Sequence, residues 1–193
     1  VDVIGSGGIG QDDGDYAQAQ FDHPQGMALV DQTLYVADTE NHLLRAVDLT
    51  AKKVSTYAGT GEKNATADGA PIAGTALNGP RTLAIYADGN LIIVLREGNA
   101  VFRANLKTNT LQHLTGTGKP GYSGDRADAR LAQLAGPKGA AFDRDGNLLL
   151  VDTENHAIRI IDKNGRIDTL VGDGKAGDGP DGDPRKCRLN RPH

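Results

Sequence analysis

Apolar residues along this chain come in short runs, each closed by a turn signal. The first set is GMALV (Gly26 to Val30), LYVAD (Leu34 to Asp38), a stretch from Leu43 to Asp48, and VSTYAG (Val54 to Gly59). Asp31-Gln32-Thr33, the DTENH segment and Lys52-Lys53 divide them. Apolar runs of this length between turn residues read as strands, and four in succession read as one small antiparallel meander. The order recurs as TLAIYA, LIIVL, AVFRANL and LQHLTG, and again as AAFDR, LLLVD, AIRIID and IDTLVG. Asp88-Gly89 and Asp145-Gly146 mark tight hairpin turns, because glycine accepts positive φ without steric penalty. No apolar pattern of period 3.6 lasts through three turns, so the only helical expectation is a short turn at YAQAQF, held by packing.

The repeat keeps phase over the whole chain. Pro24, Pro80, Pro137 and Pro192 are 56, 57 and 55 residues apart, and Gly5, Gly59, Gly116 and Gly172 are 54, 57 and 56 apart. The expected units are 21–76, 77–133 and 134–188. VDVIG at residues 1–5 matches STYAG, QHLTG and DTLVG, so 1–20 reads as the last strand and loop of a preceding unit and 189–193 as the start of a following one. One four-stranded sheet lacks the apolar surface for a core of its own, and identical sheets can solve this by packing face to face around an axis. A four-stranded unit of this length fits that radial arrangement better than a solenoid. The expected fold class is therefore all-β, a β-propeller segment with three complete four-stranded blades and partial blades at both ends. Three is fewer than the blades of an ordinary propeller, which makes the chain a segment of a longer protein on this reading. The short turns fall at one end of each sheet. The DTENH-type connections, the long inter-unit loops and the starts of the first strands fall at the other, where a site is expected.

Composition narrows the function classes. Apolar residues are 38% of 193 and aromatics only 4%, so the core must be Val, Leu, Ile and Ala. Acidic residues number 25 against 21 basic, a formal charge of −4, which gives no electrostatic reason for a nucleic-acid or anionic-membrane partner. No apolar run is long enough for a transmembrane segment, and no signal-peptide pattern opens the chain. The single cysteine, Cys187, forms no internal disulfide and reads as a small residue at the place of Ala19, Thr75 and Ala132.

At HPQG…LYVADTENHLLRAVDL…YAGTG and at GPKG…LLLVDTENHAIRIID…LVGDG the chain resembles the NHL repeat family, in its bacterial-type form with long inter-blade loops. The resemblance covers nearly the whole chain and implies blades of a six-bladed or similar propeller. It also implies a range of roles, from protein-interaction and RNA-binding modules to peptidyl-hydroxyglycine lyases, and favours a periplasmic or extracellular location. The family letters fall on Asn41-His42-Leu43 and Asn155-His156-Ala157, and the alignment puts Asn99-Ala100-Val101 in the middle unit, with Arg96 where the others have Asp38 and Asp152.

Asp38, Asn41, His42 and Arg45 recur as Asp152, Asn155, His156 and Arg159. Repetition assigns them to blade structure, because one active centre does not need the same set in each blade. His23, Gln25, Arg81, Lys138 and His193 vary at the entries of the first strands and form the candidate recognition surface. The metal readings are zinc near the axis with His23 and His193, as in some lyase relatives, and calcium at GDGPDGD with Asp178, Asp181 and Asp183. Basic Arg81 and Lys138 oppose the first and the absence of EF-hand spacing opposes the second, so no cofactor is expected. The glycine series lacks a phosphate-binding fingerprint, and no Gly-x-Ser-x-Gly nucleophile occurs. The function expected is a noncatalytic scaffold for a protein, peptide or glycan. The alternatives are a metal-dependent lyase or hydrolase with an axial site, and an extracellular structural or adhesive segment.

Overall fold

In a computed structural model, residues 2–193 are described, and strands form where short apolar runs meet turn residues. They are β1 (Gly14–Asp15), β2 (Pro24–Val30), β3 (Thr33–Asp38), β4 (Leu43–Asp48), β5 (Lys53–Gly59), β6 (Pro80–Ile85) and β7 (Leu91–Leu95). β8 (Ala100–Asn105), β9 (Thr110–Thr115), β10 (Ala127–Asp128), β11 (Gly139–Phe142), β12 (Leu148–Asp152), β13 (Ala157–Ile161) and β14 (Arg166–Val171) follow. Two single 3₁₀ turns, Ala129–Leu131 and Thr153–Asn155, are the only helical elements among the described residues. At YAQAQF the chain makes one turn without a helix, with the N–H groups of Gln18 and Ala19 both donating to the Asp15 carbonyl at 2.8 and 2.9 Å.

The chain is all-β, in three sheets ordered β1-β5-β4-β3-β2, β6-β7-β8-β9 and β10-β14-β13-β12-β11. This corrects the expected propeller segment of four-stranded blades: the sheets are open, none closes on itself, and two have five strands. The repeat period dictates that the meander recurs, but it does not say where the edge of each sheet stops. An outer strand carries a row of unpaired N–H and C=O groups, and a piece of the loop before it fills that edge. Gly14 and Asp15 pair with Val54 and Lys53, and Ala127 and Asp128 pair with Ile167 and Arg166. In the middle repeat the loop covers β9 more loosely, through a bridge from Pro71 to Thr110 and mutual bonds of Leu111 with Gly69 and Ala70 at 2.7 and 2.8 Å. Residues 2–5 form no strand, so the expected closing strand of a preceding unit is not found there; Val1 lies outside the described residues.

Two compact units divide the chain, Val1–Ile93 with Ala104–Gln112 and Val94–Arg103 with His113–His193. The first holds the β1–β5 sheet and β6, the second holds the β10–β14 sheet, and β7, β8 and β9 are shared out between them. Alternation along the strands sorts each repeat sheet into two faces. One carries the arginine: Met27, Leu29, Leu34, Val36, Arg45 and Val47 in the first unit, and Leu148, Leu150, Arg159 and Ile161 in the second. The opposite face carries Ala28, Tyr35, Ala37 and Leu44 in the first unit, and Ala141, Leu149, Val151, Ile158 and Ile160 in the second.

The first unit packs its outer half around Ala19, Val47 and Val54, with Ile4, Tyr16 and Phe21 from the preceding loop laid against them. On the opposite face Tyr35 and Tyr57 meet edge to face, 4.9 Å between centroids, and burial pushes the Tyr57 hydroxyl up to about 12. Gly26 lets β2 approach β6, since a Cβ there would lie 2.6 Å from the Arg81 carbonyl oxygen and 2.8 Å from the Thr82 Cα. In the middle repeat, every residue of β7 is buried.

Ile93→Ala should lower stability by about 2–5 kcal/mol in urea denaturation, because Ile93 is fully buried. Met27→Ala, at a side chain 66% exposed, should change it by no more than about 0.5 kcal/mol. Equal losses at the two positions would contradict this burial pattern.

Candidate functional site

Asp38 ends β3 and Asp152 ends β12, and both are fully buried with the arginine that returns on the next strand. The Asp38 carboxylate accepts from the backbone N–H of Asp22 at 2.7 Å, from Asn41 Nδ2 at 2.8 Å and from Arg45 Nη1 at 2.9 Å. Asp152 accepts from the N–H of Ala135 at 2.8 Å, from Asn155 Nδ2 at 2.8 Å and from Arg159 Nη1 at 3.3 Å. Burial pushes the Asp152 carboxyl above its ordinary value, against the lowering effect of these donors.

The same side chains reach back to the preceding loop. Asn41 donates to the Gly10 carbonyl at 2.6 Å and Asn155 to that of Gly121 at 2.6 Å. Arg45 donates to the carbonyls of Gln20 and Asp12 and to the Asp13 carboxylate, at 2.8, 2.9 and 2.6 Å. Arg159 donates to the Ser123 carbonyl at 3.1 Å and to the Asp125 carboxylate at 2.7 Å. Each guanidinium lies over an aromatic ring, Arg45 5.2 Å from the Phe21 centroid and Arg159 5.0 Å from that of Tyr122, which favours a cation in a site with little water.

A second group reaches forward to the next repeat. His42 Nδ1 accepts from the N–H of Gly79 at 2.9 Å, and Thr39 Oγ1 donates to the Pro80 carbonyl at 2.8 Å. His156 Nδ1 accepts from the N–H of Arg191 at 3.0 Å, and Thr153 Oγ1 donates to the Pro192 carbonyl at 2.9 Å. The DTENH segment thus bonds to the backbone of the loop before it and of the strand after it.

Residues 116–188 match the Teneurin NHL domain and residues 21–46 match the NHL repeat. NHL repeat-containing protein 2 of Bos taurus is 31% identical over 192 residues, which cover 88% of this chain and 26% of that protein. The chain therefore spans about a quarter of the length of the curated relatives it matches. Among solved structures, an auxiliary nutrient binding protein from Bacteroides ovatus has a TM-score of 0.66 at 19% identity, covering 90% of this chain and 43% of that one. A gluconolactonase from Xanthomonas campestris has a TM-score of 0.58 at 14% identity, covering 79% and 48%. The family these likenesses support is that of NHL-repeat, propeller-like domains. At such identities the solved structures speak for the fold alone, and it is a fold shared by binding proteins and by enzymes.

The NHL letters sit one residue differently in the middle repeat from what alignment of the asparagines suggests. His42, Asn99 and His156 all take left-handed backbone, at φ 55°, 45° and 52°, and Asn99 Oδ1 accepts from the N–H of Gly136 at 2.8 Å just as the two histidines accept from their own next repeat. Asn99 therefore stands in the histidine place and Gly98 in that of Asn41 and Asn155. Counting from Asn99 puts Leu95 where Asp38 and Asp152 stand, and Phe102 where Arg45 and Arg159 stand. Leu95 and Phe102 are both buried, so the middle NHL repeat replaces the ion pair with an apolar pair. Arg96 takes the threonine place instead and pairs with Glu97.

The other candidates lie as follows. His23 is exposed and bonded to the Asp22 carboxylate at 2.5 Å; Gln25 is exposed and Arg81 half-buried, all in the first unit. In the second unit Lys138 is only 8% exposed, and its Nζ lies 3.5 Å from Nδ1 of the exposed His193. Nearby Glu154 pairs with Arg191 at 2.6 Å, which holds its carboxyl below the usual glutamate range. Asp178, Asp181 and Asp183 are exposed; Asp183 accepts from the N–H of Arg185 at 3.1 Å and pairs with Lys186 at 3.4 Å. Among the described residues, no group of three or more His, Cys, Asp or Glu is gathered as a metal would require. Cys187 is half-buried.

Sequence reasoning missed Thr39 and Thr153, whose recurrence beside the aspartate was a visible signal. It also missed Asp13 and Asp125, which lie in the long inter-unit loops and meet Arg45 and Arg159.

Arg159→Ala should cost about 3–5 kcal/mol in chemical denaturation, because it leaves the Asp152 carboxylate buried without its cation. The double change Asp152→Leu with Arg159→Phe copies Leu95 and Phe102 and should recover most of that loss. A double variant less stable than Arg159→Ala would contradict the equivalence of the two pairs.

Proposed function

We propose that this chain is a noncatalytic recognition scaffold whose ligand is a protein or peptide segment. One observation carries the reading. On a repeated backbone frame, in which a left-handed residue is followed by proline, the next position holds Gln25, Arg81, Lys138 and His193, four different polar side chains. The left-handed residues are His23, Gly79, Gly136 and Arg191, at φ 49°, 64°, 53° and 46°. The last three are tied to the preceding repeat by the bonds from His42, Asn99 and His156. Within each unit these bonds fix the frame, which lowers the ordering cost of recognition, and the chemical variety of the side chains it carries, Gln25 and Arg81 in the first unit and Lys138 and His193 in the second, supplies selectivity. The repeated Asp, Asn, His and Arg set is meanwhile bonded to backbone, which supports a structural role over an acid–base role for it.

The likeness to a nutrient binding protein agrees with this reading, and the likeness to a gluconolactonase keeps a metal-dependent lyase or hydrolase as the second one. His23 and His193 are the residues such a reading would use.

Peptide and glycan arrays probed with the labelled chain, followed by titration calorimetry of the strongest peptide, test the proposal. Saturable binding should be weakened about tenfold by Arg81→Ala, with the ligand recovered unchanged and the affinity indifferent to a chelator. Turnover that a chelator abolishes and zinc or calcium restores would establish the enzyme reading in its place. Saturable binding confined to glycans, or none at all, would also refute the proposal.

A further inference from the structure

Glu62-Lys63-Asn64-Ala65-Thr66 carries a pattern that the repeat does not explain. Asparagine, any residue but proline, then serine or threonine is the acceptor signal for an N-linked glycan. No other asparagine of this chain has serine or threonine two places on. Such a triplet becomes a site only where an enzyme can reach it, so its surroundings decide.

The triplet lies at the tip of the loop 60–76, which leaves β5 and returns to β6, all of it in the first unit. The base of that loop is closed. The Gly59 N–H donates to the Thr75 carbonyl at 3.1 Å, that of Gly69 to the Leu111 carbonyl at 2.7 Å, and that of Ile72 to the Asn109 carbonyl at 3.0 Å. Ile72 and Leu77 anchor the returning limb, both fully buried. Beyond that base Gly61 to Ala65 are exposed without a break. Bonds at the tip are local: the Glu62 N–H donates to Thr60 Oγ1 at 3.4 Å, and Asn64 Nδ2 donates to Glu62 Oε2 at 2.7 Å. Thr66 reaches back to the returning limb, its Oγ1 donating to the Ala76 carbonyl at 2.7 Å.

The freedom of this tip follows from the middle repeat. Loops 6–20 and 117–133 are tied down by the asparagine and arginine of the repeat that follows them. The ties run through Gly10, Asp12 and Asp13 in one, and through Gly121, Ser123 and Asp125 in the other. For loop 60–76 the corresponding places hold Gly98 and Phe102, which carry neither carboxamide nor guanidinium. A tip held in this way bends outward with the loss of one long-range bond, that of Thr66, while the buried base stays closed.

We infer that Asn64 is the acceptor of an N-linked glycan in the folded chain. The donor is an oligosaccharide carried on a lipid pyrophosphate. Asn64 Nδ2 forms a bond to the anomeric carbon, and the bond from that carbon to the pyrophosphate oxygen breaks. The lipid pyrophosphate leaves with the electron pair and one amide proton passes to solvent, so neither oxidant nor reductant is needed. The Thr66 hydroxyl is the second feature that a transferase reads, and in extended backbone residues two apart present their side chains on the same side. The site is apart from Gln25, Arg81, Lys138 and His193 and does not rest on the recognition proposal.

The purified folded chain, incubated with an oligosaccharyltransferase and a lipid-pyrophosphate oligosaccharide, gives the test by intact mass. The mass should rise by one glycan, and peptide mapping should place it on Asn64. Asn64→Gln and Thr66→Val should each abolish the gain, whereas Thr66→Ser should keep it. Circular dichroism and thermal melts should be the same for these variants and for the glycosylated chain, because the tip lies outside the buried core. A synthetic peptide of residues 58–70 is the reference, and the folded chain should react within about tenfold of its rate, since the opening required is local. A peptide that is glycosylated while the folded chain is not, a peptide and chain both refused by an active transferase, a glycan on another residue, or a gain that survives Thr66→Val would each overturn the inference.

Discussion

The structure depends on a hydrogen bond made three times at the same place. A residue in left-handed backbone, His42, Asn99 or His156, accepts the N–H that stands just before the first-strand proline of the next repeat. Left-handed backbone is unfavourable for most side chains and tolerable for asparagine and histidine, whose acceptor atoms are near enough to the backbone to be fixed by it. Glycine is then required beside it: a Cβ at Gly59, Gly116 or Gly172 would strike the carbonyl oxygen of the left-handed residue. The phased glycines are thus a steric consequence of the phased acceptors.

Around that bond the protein uses two chemistries for one location. The first and third repeats bury an aspartate and an arginine, and the middle repeat buries Leu95 and Phe102. An ion pair taken out of water loses hydration that its attraction only partly returns, whereas an apolar pair has no such loss. The ion pair adds hydrogen bonds to the preceding loop, through Asp12 and Asp13 in one repeat and Ser123 and Asp125 in the other. Its main effect is to fix a glycine-rich loop that has little apolar surface of its own.

Much of this was legible in the sequence because turns and apolar runs are local. The hairpins at Asp88-Gly89 and Asp143–Gly146 follow from glycine's tolerance of positive φ, and the alternation of faces follows from strand geometry. Other features depend on partners far along the chain. The fifth strands at Gly14–Asp15 and Ala127–Asp128 carry no apolar signal, since they form to satisfy the backbone of β5 and β14. The middle repeat was aligned on its asparagine when backbone conformation puts Asn99 with the histidines, a distinction that residue type alone does not carry. Nor does sequence say which copy of an equivalent leucine is left open: Leu34 and Leu91 share a place in the repeat, yet only Leu91 is fully buried.

For function, the repeated polar set becomes the frame and the variable residues beside it become the recognition candidates. That division holds only if the inter-repeat bonds are firm in solution. Hydrogen exchange of the backbone amides, read residue by residue, measures this. The Gly79 and Gly136 amides should exchange as slowly as those in the centre of β7, though neither belongs to a strand and glycine amides in loops are normally quick to exchange. Exchange of both at the rate of the exposed loop around Lys63 would contradict the account.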